Sequence, residues 1–276
     1  MSDFLMRMAR SSGARVVEAR TREPEAELRR RAMATPAPPR VALSENRFDL
    51  IAEVKFRSPS MGTLIREDRE RDVAGRARAY GDAGAAVISV LTEPDHFGGN
   101  LRDLEQAAHA VEIPAMRKDF LVDPYQVWEA RACGAAGVLL IVRMLDDDRI
   151  GALIEAAGEA GMFVLLEAFD EEDLKRITSG AIRGASEETV WIGVNARDLA
   201  TLAVVPERLA RLAGRIPAER ISVAESGIST ADDAADAARS GYSLALVGTA
   251  LMRAEDPGAL VAAMLRAGRA APRSRR

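Results

Sequence analysis

Glu53, Lys55, Lys118, Glu167, Asn195 and Glu225 share a setting that invites chemistry, because each stands at the end of a short apolar run. Glu53 and Lys55 finish Ile51-Ala52-Glu53-Val54-Lys55, Lys118 sits in Arg117-Lys118-Asp119-Phe120, and Glu167 closes Leu165-Leu166-Glu167. Asn195 and Arg197 belong to Val194-Asn195-Ala196-Arg197, and Glu225 opens Glu225-Ser226-Gly227. Lysines beside carboxylates suit acid and base work. Burial disfavours the charged form of each and a nearby opposite charge restores it, so one site can hold both a proton donor and a proton acceptor. If the runs are strands, alternation puts Glu53 and Lys55 on one side and Val54 on the other. The same residues also fit a structural ion pair, and Lys118 and Glu167 each fit a solvated or salt-bridged role. Arg117 should face away from Lys118, as an outer contact.

A second group suits an anion. Ser226-Gly227 and Gly248-Thr249 each follow a late apolar run, the place where many barrels hold phosphate on backbone N–H groups and a short helix start. Plain turn glycines are the alternative at Gly227 and Gly248. Ser58-Pro59-Ser60 offers the hydroxyls of Ser58 and Ser60 to the same anion, on weaker grounds. His96 and His109 are the only histidines and no Cys/His cluster has ligand spacing, so no metal site is expected. Cys133, the single cysteine, excludes an intrachain disulfide and reads as a buried packing residue in a helix before Gly134.

Strand ends matter only if a fold gathers them. From residue 48 onward apolar runs alternate with Ala-, Arg- and Glu-rich stretches of helical period, the signature of parallel βα units. The pattern predicts strands at 49–54, 86–92, 114–117, 137–142, 162–167, 189–195, 221–225 and 244–248. That is the strand number of a (β/α)8 barrel, and the chain's 276 residues suit one such barrel with an extension. A dinucleotide-binding doubly wound sheet would want a G-x-G-x-x-G turn after the first strand, which is absent. Residues 1–47 read as a helical extension and linker, with a charged helix over Glu23 to Met33 stopped by Ala34-Thr35-Pro36-Ala37-Pro38-Pro39. It is either a mobile tail or a cap over the barrel mouth. Residues 48–268 read as the α/β catalytic barrel and 269–276 as a basic tail. Asp123-Pro124 and Ser229-Thr230 are helix-start signals without chemistry.

Composition sets outer bounds. The chain is 48% hydrophobic with only 4% aromatic residues, so Ala, Val, Leu and Ile must build the core. A net charge of −4 gives no basic field for nucleic acid. No apolar run approaches the roughly 18 residues of a membrane span, and no signal-peptide pattern opens the chain, which together point to the cytoplasm. The arginine patches at Arg29 to Arg31 and Arg273 to Arg276 read as solvated helix face and frayed tail.

Taken in order, Ile51-Ala52-Glu53-Val54-Lys55 through Ser58-Pro59-Ser60, Ile88-Ser89-Val90-Leu91-Thr92-Glu93, Phe97-Gly98-Gly99, Arg117-Lys118-Asp119-Phe120, Leu139-Leu140-Ile141, Leu166-Glu167, Gly193-Val194-Asn195, Ala224-Glu225-Ser226-Gly227-Ile228 and Val247-Gly248 resemble the indole-3-glycerol phosphate synthase family. The likeness runs from about residue 48 to about residue 266 and touches every barrel unit. It implies cyclisation of 1-(2-carboxyphenylamino)-1-deoxyribulose 5-phosphate with loss of carbon dioxide and water, in tryptophan biosynthesis, without a cofactor. It implies Lys118 as the general acid at the sugar carbonyl, Lys55 as a cation near the substrate carboxylate, and Glu53 and Glu167 as the acid/base carboxylates. Asn195 and Glu225 would hold substrate and lysine in place. Ser58, Ser226, Gly227, Gly248 and Thr249 would bind phosphate, with Phe97 and Phe120 walling the aromatic ring and Arg197 in a supporting position. The expected partner is a small phosphorylated molecule; a monomer, and contact with neighbouring tryptophan-pathway enzymes, are both compatible.

Ala196 and Ala168-Phe169 depart from the family's usual residues, and the early segment is only loosely similar. Phosphoribosylanthranilate isomerase, a rival barrel, would by its own family pattern want a cysteine at the first strand end, where Glu53-Val54-Lys55 stands. A non-catalytic sugar-phosphate-binding barrel would not need Lys118, Glu53 and Glu167 together.

Overall fold

The computed structural model describes residues 3–44, 48–59, 61–64, 71–182, 186–198, 201–205 and 207–272. Two helices, α1 (Asp3–Arg22) and α2 (Glu25–Ala34), precede the first strand β1 (Asp49–Val54). The remaining strands are β2 (Val87–Leu91), β3 (Ala115–Lys118), β4 (Gly137–Ile141), β5 (Phe163–Ala168), β6 (Val190–Asn195), β7 (Ser222–Glu225) and β8 (Leu244–Val247). All pair in parallel in chain order, and β1 meets β8 with Asp49 opposite Leu244, closing a (β/α)8 barrel. A small hairpin of Arg57–Ser58 against Gly62–Thr63 rises after β1.

Strands β2, β4, β5 and β6 are rich in aliphatic residues and buried along their whole length, as parallel strands covered on both faces must be, while β3 ends on the half-buried Lys118. The barrel helices are α3 (Val73–Asp82), α4 (Leu101–Ala110), α5 (Pro124–Ala132), α6 (Asp147–Glu159), α7 (Glu171–Arg176), α8 (Glu207–Ala213), α9 (Ala231–Arg239), α10 (Thr249–Arg253) and α11 (Pro257–Ala270). Side-chain caps fix where many of them start: Asp123 accepts from the Tyr125 N–H at α5, and Thr230 forms a reciprocal capping box with Asp233 at α9. The expected starts at Asp123-Pro124 and Thr230 are therefore real, and the caps leave the βα loops free to carry function.

Strand limits agree with the expected ones to within about a residue, while the two ends of the chain differ more. The extension holds two helices, and the charged one begins at Glu25 because Pro24 occupies its N-cap position. The last helix runs through Ala270, so residues 269 and 270 belong to the barrel and not to the tail; Arg269 is fixed there by Asp49 at 2.7 Å. Arg273–Arg276 lie outside the described residues. Cys133 is the C-cap of α5 and half-buried, where burial pushes its thiol up to about 11. Arg29 and Arg31 are exposed but paired, with Glu159 and Glu23. Among the described residues no helix is long and apolar enough to cross a membrane.

The extension is neither loose nor remote. Leu5, Met8, Ser12, Val16 and Ala19 of α1 are buried at helical spacing, giving it one face to dock. Polar ties then set its register. Gln126 donates to Ser12 Oγ at 2.8 Å, Arg20 forks onto Asp123 at 2.8 and 3.1 Å, and Tyr125 Oη donates to the Glu23 carbonyl at 2.9 Å.

Candidate active site

At the C-terminal ends of the strands the six polar residues picked from the sequence line one cleft. Lys118 ends β3 and reaches across the barrel, its Nζ 3.0 Å from Glu167 Oε2 on β5 and 3.6 Å from Glu225 Oε2 on β7. Glu53 on β1 pairs with Lys55 at 2.6 Å, two residues on and on the same side, as alternation required. Asn195 ends β6 opposite Glu225 in register.

Room for these groups comes from missing side chains. A Cβ at Gly193 would collide with Glu225 Oε1, and one at Gly248 with Glu53 Oε1 and the Lys55 Nζ. Gly248, read as a phosphate glycine, thus also makes space for the Glu53–Lys55 pair.

The charge states diverge. Burial works against the Lys118 ammonium, yet the attraction of Glu167, Glu225 and Glu53 outweighs it and holds the lysine above its usual range. Burial also disfavours an ionised Glu167, but Lys118 and its hydrogen bonds keep that carboxylate below the usual range. Glu225 goes the other way: burial and the neighbouring Glu167 charge push it well up, against the pull of Lys118. Two carboxylates on one lysine cannot both ionise freely. Of the two carboxylates, Glu225 is therefore the one that holds its proton more strongly.

The cleft has two lobes that meet at Glu53, Lys55, Lys118 and Asn195. The inner lobe is apolar on one wall, with Phe4, Leu91, Phe97, Phe120, Leu139 and Ile141. Phe4 stands edge-on to Phe120 at 5.9 Å between centroids, and Phe97 lies 6.1 Å from Phe120. The three rings give that wall an aromatic character. Glu93, buried at the end of β2, accepts from the His96 and Phe97 N–H groups at 2.7 and 3.0 Å and folds the loop that presents Phe97. The outer lobe is lined by Ser226, Gly227, Ser229, Gly248 and Thr249. Ser226 and Gly227 have φ of 68° and 78°, so consecutive backbone amides sit in the left-handed region and can form an anion-binding concavity. Ser58 lies buried in the wall of the inner lobe, its Oγ without a hydrogen-bond partner among the described residues.

Arg197 lines both lobes, its backbone N–H on Asn195 Oδ1 at 2.9 Å and its guanidinium on the Leu202 carbonyl at 2.6 Å. Ser60, read as a second hydroxyl donor, lies outside the described residues. Arg117 faces away from Lys118 as expected, but it is buried rather than outer, paired with Asp119 and Glu129 at 3.0 Å each. Sequence reading missed Phe4, Leu91, Leu139, Ile141 and Asp119. Leu91, Leu139 and Ile141 stood in segments that carry the family likeness but gave no sign of a pocket role beyond strand hydrophobicity, and Phe4 is brought in by α1, a helix that precedes the first barrel strand. No three His, Cys, Asp or Glu among the described residues converge on a metal-binding geometry.

A closed (β/α)8 barrel whose ionisable groups gather at the C-terminal strand ends defines the class: an enzyme of the barrel type. The indole-3-glycerol phosphate synthase family profile matches residues 5–264, and the chain belongs to that family. It is 46% identical over 238 residues to the indole-3-glycerol phosphate synthase of Nocardioides sp. (85% of this chain, 88% of the relative). Against that of Mycobacterium avium it is 43% identical over 244 residues (88% and 86%). Among solved structures, 3-hexulose-6-phosphate synthase from Salmonella typhimurium superposes with a TM-score of 0.62 at 16% identity, covering 79% of this chain and 97% of that one. Tryptophan synthase subunit alpha from Legionella pneumophila gives 0.54 at 15% (79% and 92%). These two share the fold alone. The family is one of decarboxylating lyases of tryptophan biosynthesis, and that is the activity class of this chain.

Proposed function

We propose that the chain cyclises 1-(2-carboxyphenylamino)-1-deoxyribulose 5-phosphate to indole-3-glycerol phosphate, with Lys118 as the general acid. The observation that carries the assignment is the Lys118 ammonium, clamped by Glu167 at 3.0 Å at the junction of an aromatic and an anion-binding lobe. The substrate has the matching layout: an aryl ring at one end, a phosphate at the other and a carbonyl between. The ring lies against the wall of Phe4, Phe97 and Phe120. The phosphate meets Ser58, the amides of Ser226 and Gly227, and the Gly248-Thr249 turn.

The aryl carbon is a weak nucleophile, so the carbonyl must be polarised by a proton donor. Lys118 gives its proton to the carbonyl oxygen as the ring carbon bearing the carboxylate attacks the carbonyl carbon. One C–C bond forms and the oxygen becomes a hydroxyl. The C–CO2 bond then breaks, and its electron pair restores the aromatic ring. In the last step the hydroxyl leaves as water, protonated by one group while another removes a proton to complete the indole. Glu53 and Glu167 supply that acid and base, Lys55 stands near the substrate carboxylate, and Asn195, Arg197 and Glu225 hold the reacting groups in place. As part of the same proposal, the enzyme works in the cytoplasm on a small phosphorylated substrate without a cofactor.

The assay is direct: offer the carboxyphenylamino-deoxyribulose phosphate and follow indole fluorescence. Lys118→Ala should lose about 10²–10⁴-fold in kcat with little change in KM, since a transition-state contact is removed. No signal from the unmodified chain sinks the proposal, and unchanged turnover in the variant removes Lys118 from the acid role.

A further inference from the structure

We infer that Arg15 is a positioning residue for this reaction: its ion pair with Asp119 latches α1 onto the catalytic face and so sets how tightly the aromatic end of the substrate is held. The inference rests on the proposed reaction for its substrate, but the latch itself is a statement about the chain.

Asp119 follows Lys118 directly and its side chain is inaccessible to solvent. Four donors converge on it: Arg15 Nη2 at 2.8 Å, Thr92 Oγ1 at 2.7 Å, Arg117 Nη2 at 3.0 Å and the Phe120 N–H at 2.8 Å. Three of these belong to the barrel itself. Arg15 alone comes from the extension, 104 residues away in sequence, and it donates from a side chain that is 27% exposed. The Asp119 carboxylate therefore joins the strand end that carries Lys118, the loop start at Phe120, and α1. Burial opposes its charge, but Arg117 and Arg15 keep it below the usual carboxylate range, so the latch is an ion pair.

At the other end of α1, Phe4 lines the inner lobe and stands edge-on to Phe120 and His96 at 5.9 and 5.7 Å. A rigid helix connects the two contacts. Loosening Arg15 leaves α1 docked by its buried face and its ties to Gln126, Asp123 and Tyr125 but relaxes its hold beside Lys118, while Asp119 keeps its three barrel donors, so Lys118 and the fold stay in place. That separation predicts an effect on binding with chemistry spared, which a general loss of stability would not give.

The test compares the full chain with Arg15→Ala, Arg15→Lys, Phe4→Ala and the Arg15→Ala/Phe4→Ala double variant in the indole fluorescence assay, with hydrogen exchange of residues 3–22 in parallel. Arg15→Ala should raise KM about tenfold, the equivalent of one charge-assisted hydrogen bond, with kcat retained. Arg15→Lys should fall between, since an ammonium restores the charge without the planar fork. The double variant should be no worse than the weaker-binding single one, because both changes release the same helix. Exchange in α1 should quicken in Arg15→Ala at unchanged Tm. Unchanged exchange, unchanged KM, a kcat loss equal to the KM gain, or multiplying effects in the double variant would each overturn the latch. An inactive parent chain with faster exchange in Arg15→Ala would overturn the reaction and leave the latch standing.

Discussion

Asp49 and Glu53 lie on the same strand, four residues apart, at opposite rims of the barrel, and both are all but inaccessible to solvent. Asp49 is saturated. It accepts from the Ser44 N–H at 2.7 Å, from Ser44 Oγ at 3.1 Å and from Arg269 at 2.7 Å, tying linker, strand and last helix together. Glu53 has the charge of Lys55 beside it, and among the described residues neither of its oxygens has a hydrogen-bond partner. The same contrast separates Asp119, with four donors, from Glu225, whose oxygens accept none. Buried polar groups are normally satisfied. A buried carboxylate whose hydrogen-bonding capacity is used up holds the fold together, whereas one with capacity to spare can exchange a proton or meet a substrate.

The comparison breaks most sharply at Glu167. Glu167→Gln removes the negative charge that favours the Lys118 ammonium and one of the two carboxylates proposed for acid/base work. It should lower kcat by about 10²-fold or more, with the circular dichroism spectrum and Tm close to those of the parent. A variant that unfolds instead, or turns over normally, would place Glu167 with the structural carboxylates.

Asp49→Ala should do the reverse. Removing it strands the Ser44 amide and the half-exposed Arg269, for a loss of about 1–3 kcal/mol. At roughly 2–4 °C per kcal/mol for a chain of this size, Tm should drop by several degrees in a thermal melt while kcat per folded molecule is unchanged. A fall in kcat at constant Tm would erase the distinction between the two rims.

Much of this was open to reading in the sequence. Period-two alternation put Glu53 beside Lys55, and the rule that barrel sites form at C-terminal strand ends gathered Lys118, Glu167, Asn195 and Glu225. The missed parts depend on contacts between distant segments. Phe4 and Arg15 look like ordinary residues of a charged helix until α1 docks, and Gly13 with Ser11 and Ser12 blurs the helical signal of that segment. Asp119 read as part of a motif, but its role follows from a partner 104 residues away. The opposite charge states of Glu167 and Glu225 could not be read from residue type at all, because they arise from two identical side chains competing for one lysine.

That competition gives the finest test. Burial and the Glu167 charge hold the Glu225 proton past the point at which an exposed glutamate loses it, and glutamine, neutral and able to donate from its amide, mimics that protonated side chain. Glu225→Gln should therefore change kcat far less than Glu167→Gln does, by at most about tenfold, the worth of one neutral hydrogen bond. The pH dependence carries the sign. An unfolded glutamate releases its proton near 4.5, while the folded Glu225 keeps it to higher pH, so between those two values the folded chain binds more protons than the unfolded one. Stability contributed by this group is full below 4.5 and declines as pH rises through that window. Chemical denaturation of the parent across that range should show the decline, and Glu225→Gln, with no proton to lose, should not. A variant as impaired as Glu167→Gln, or one with the parent's pH profile, would show that Glu225 is a charged partner of Lys118 after all, and that an unsaturated carboxylate at this rim need not be a protonated one.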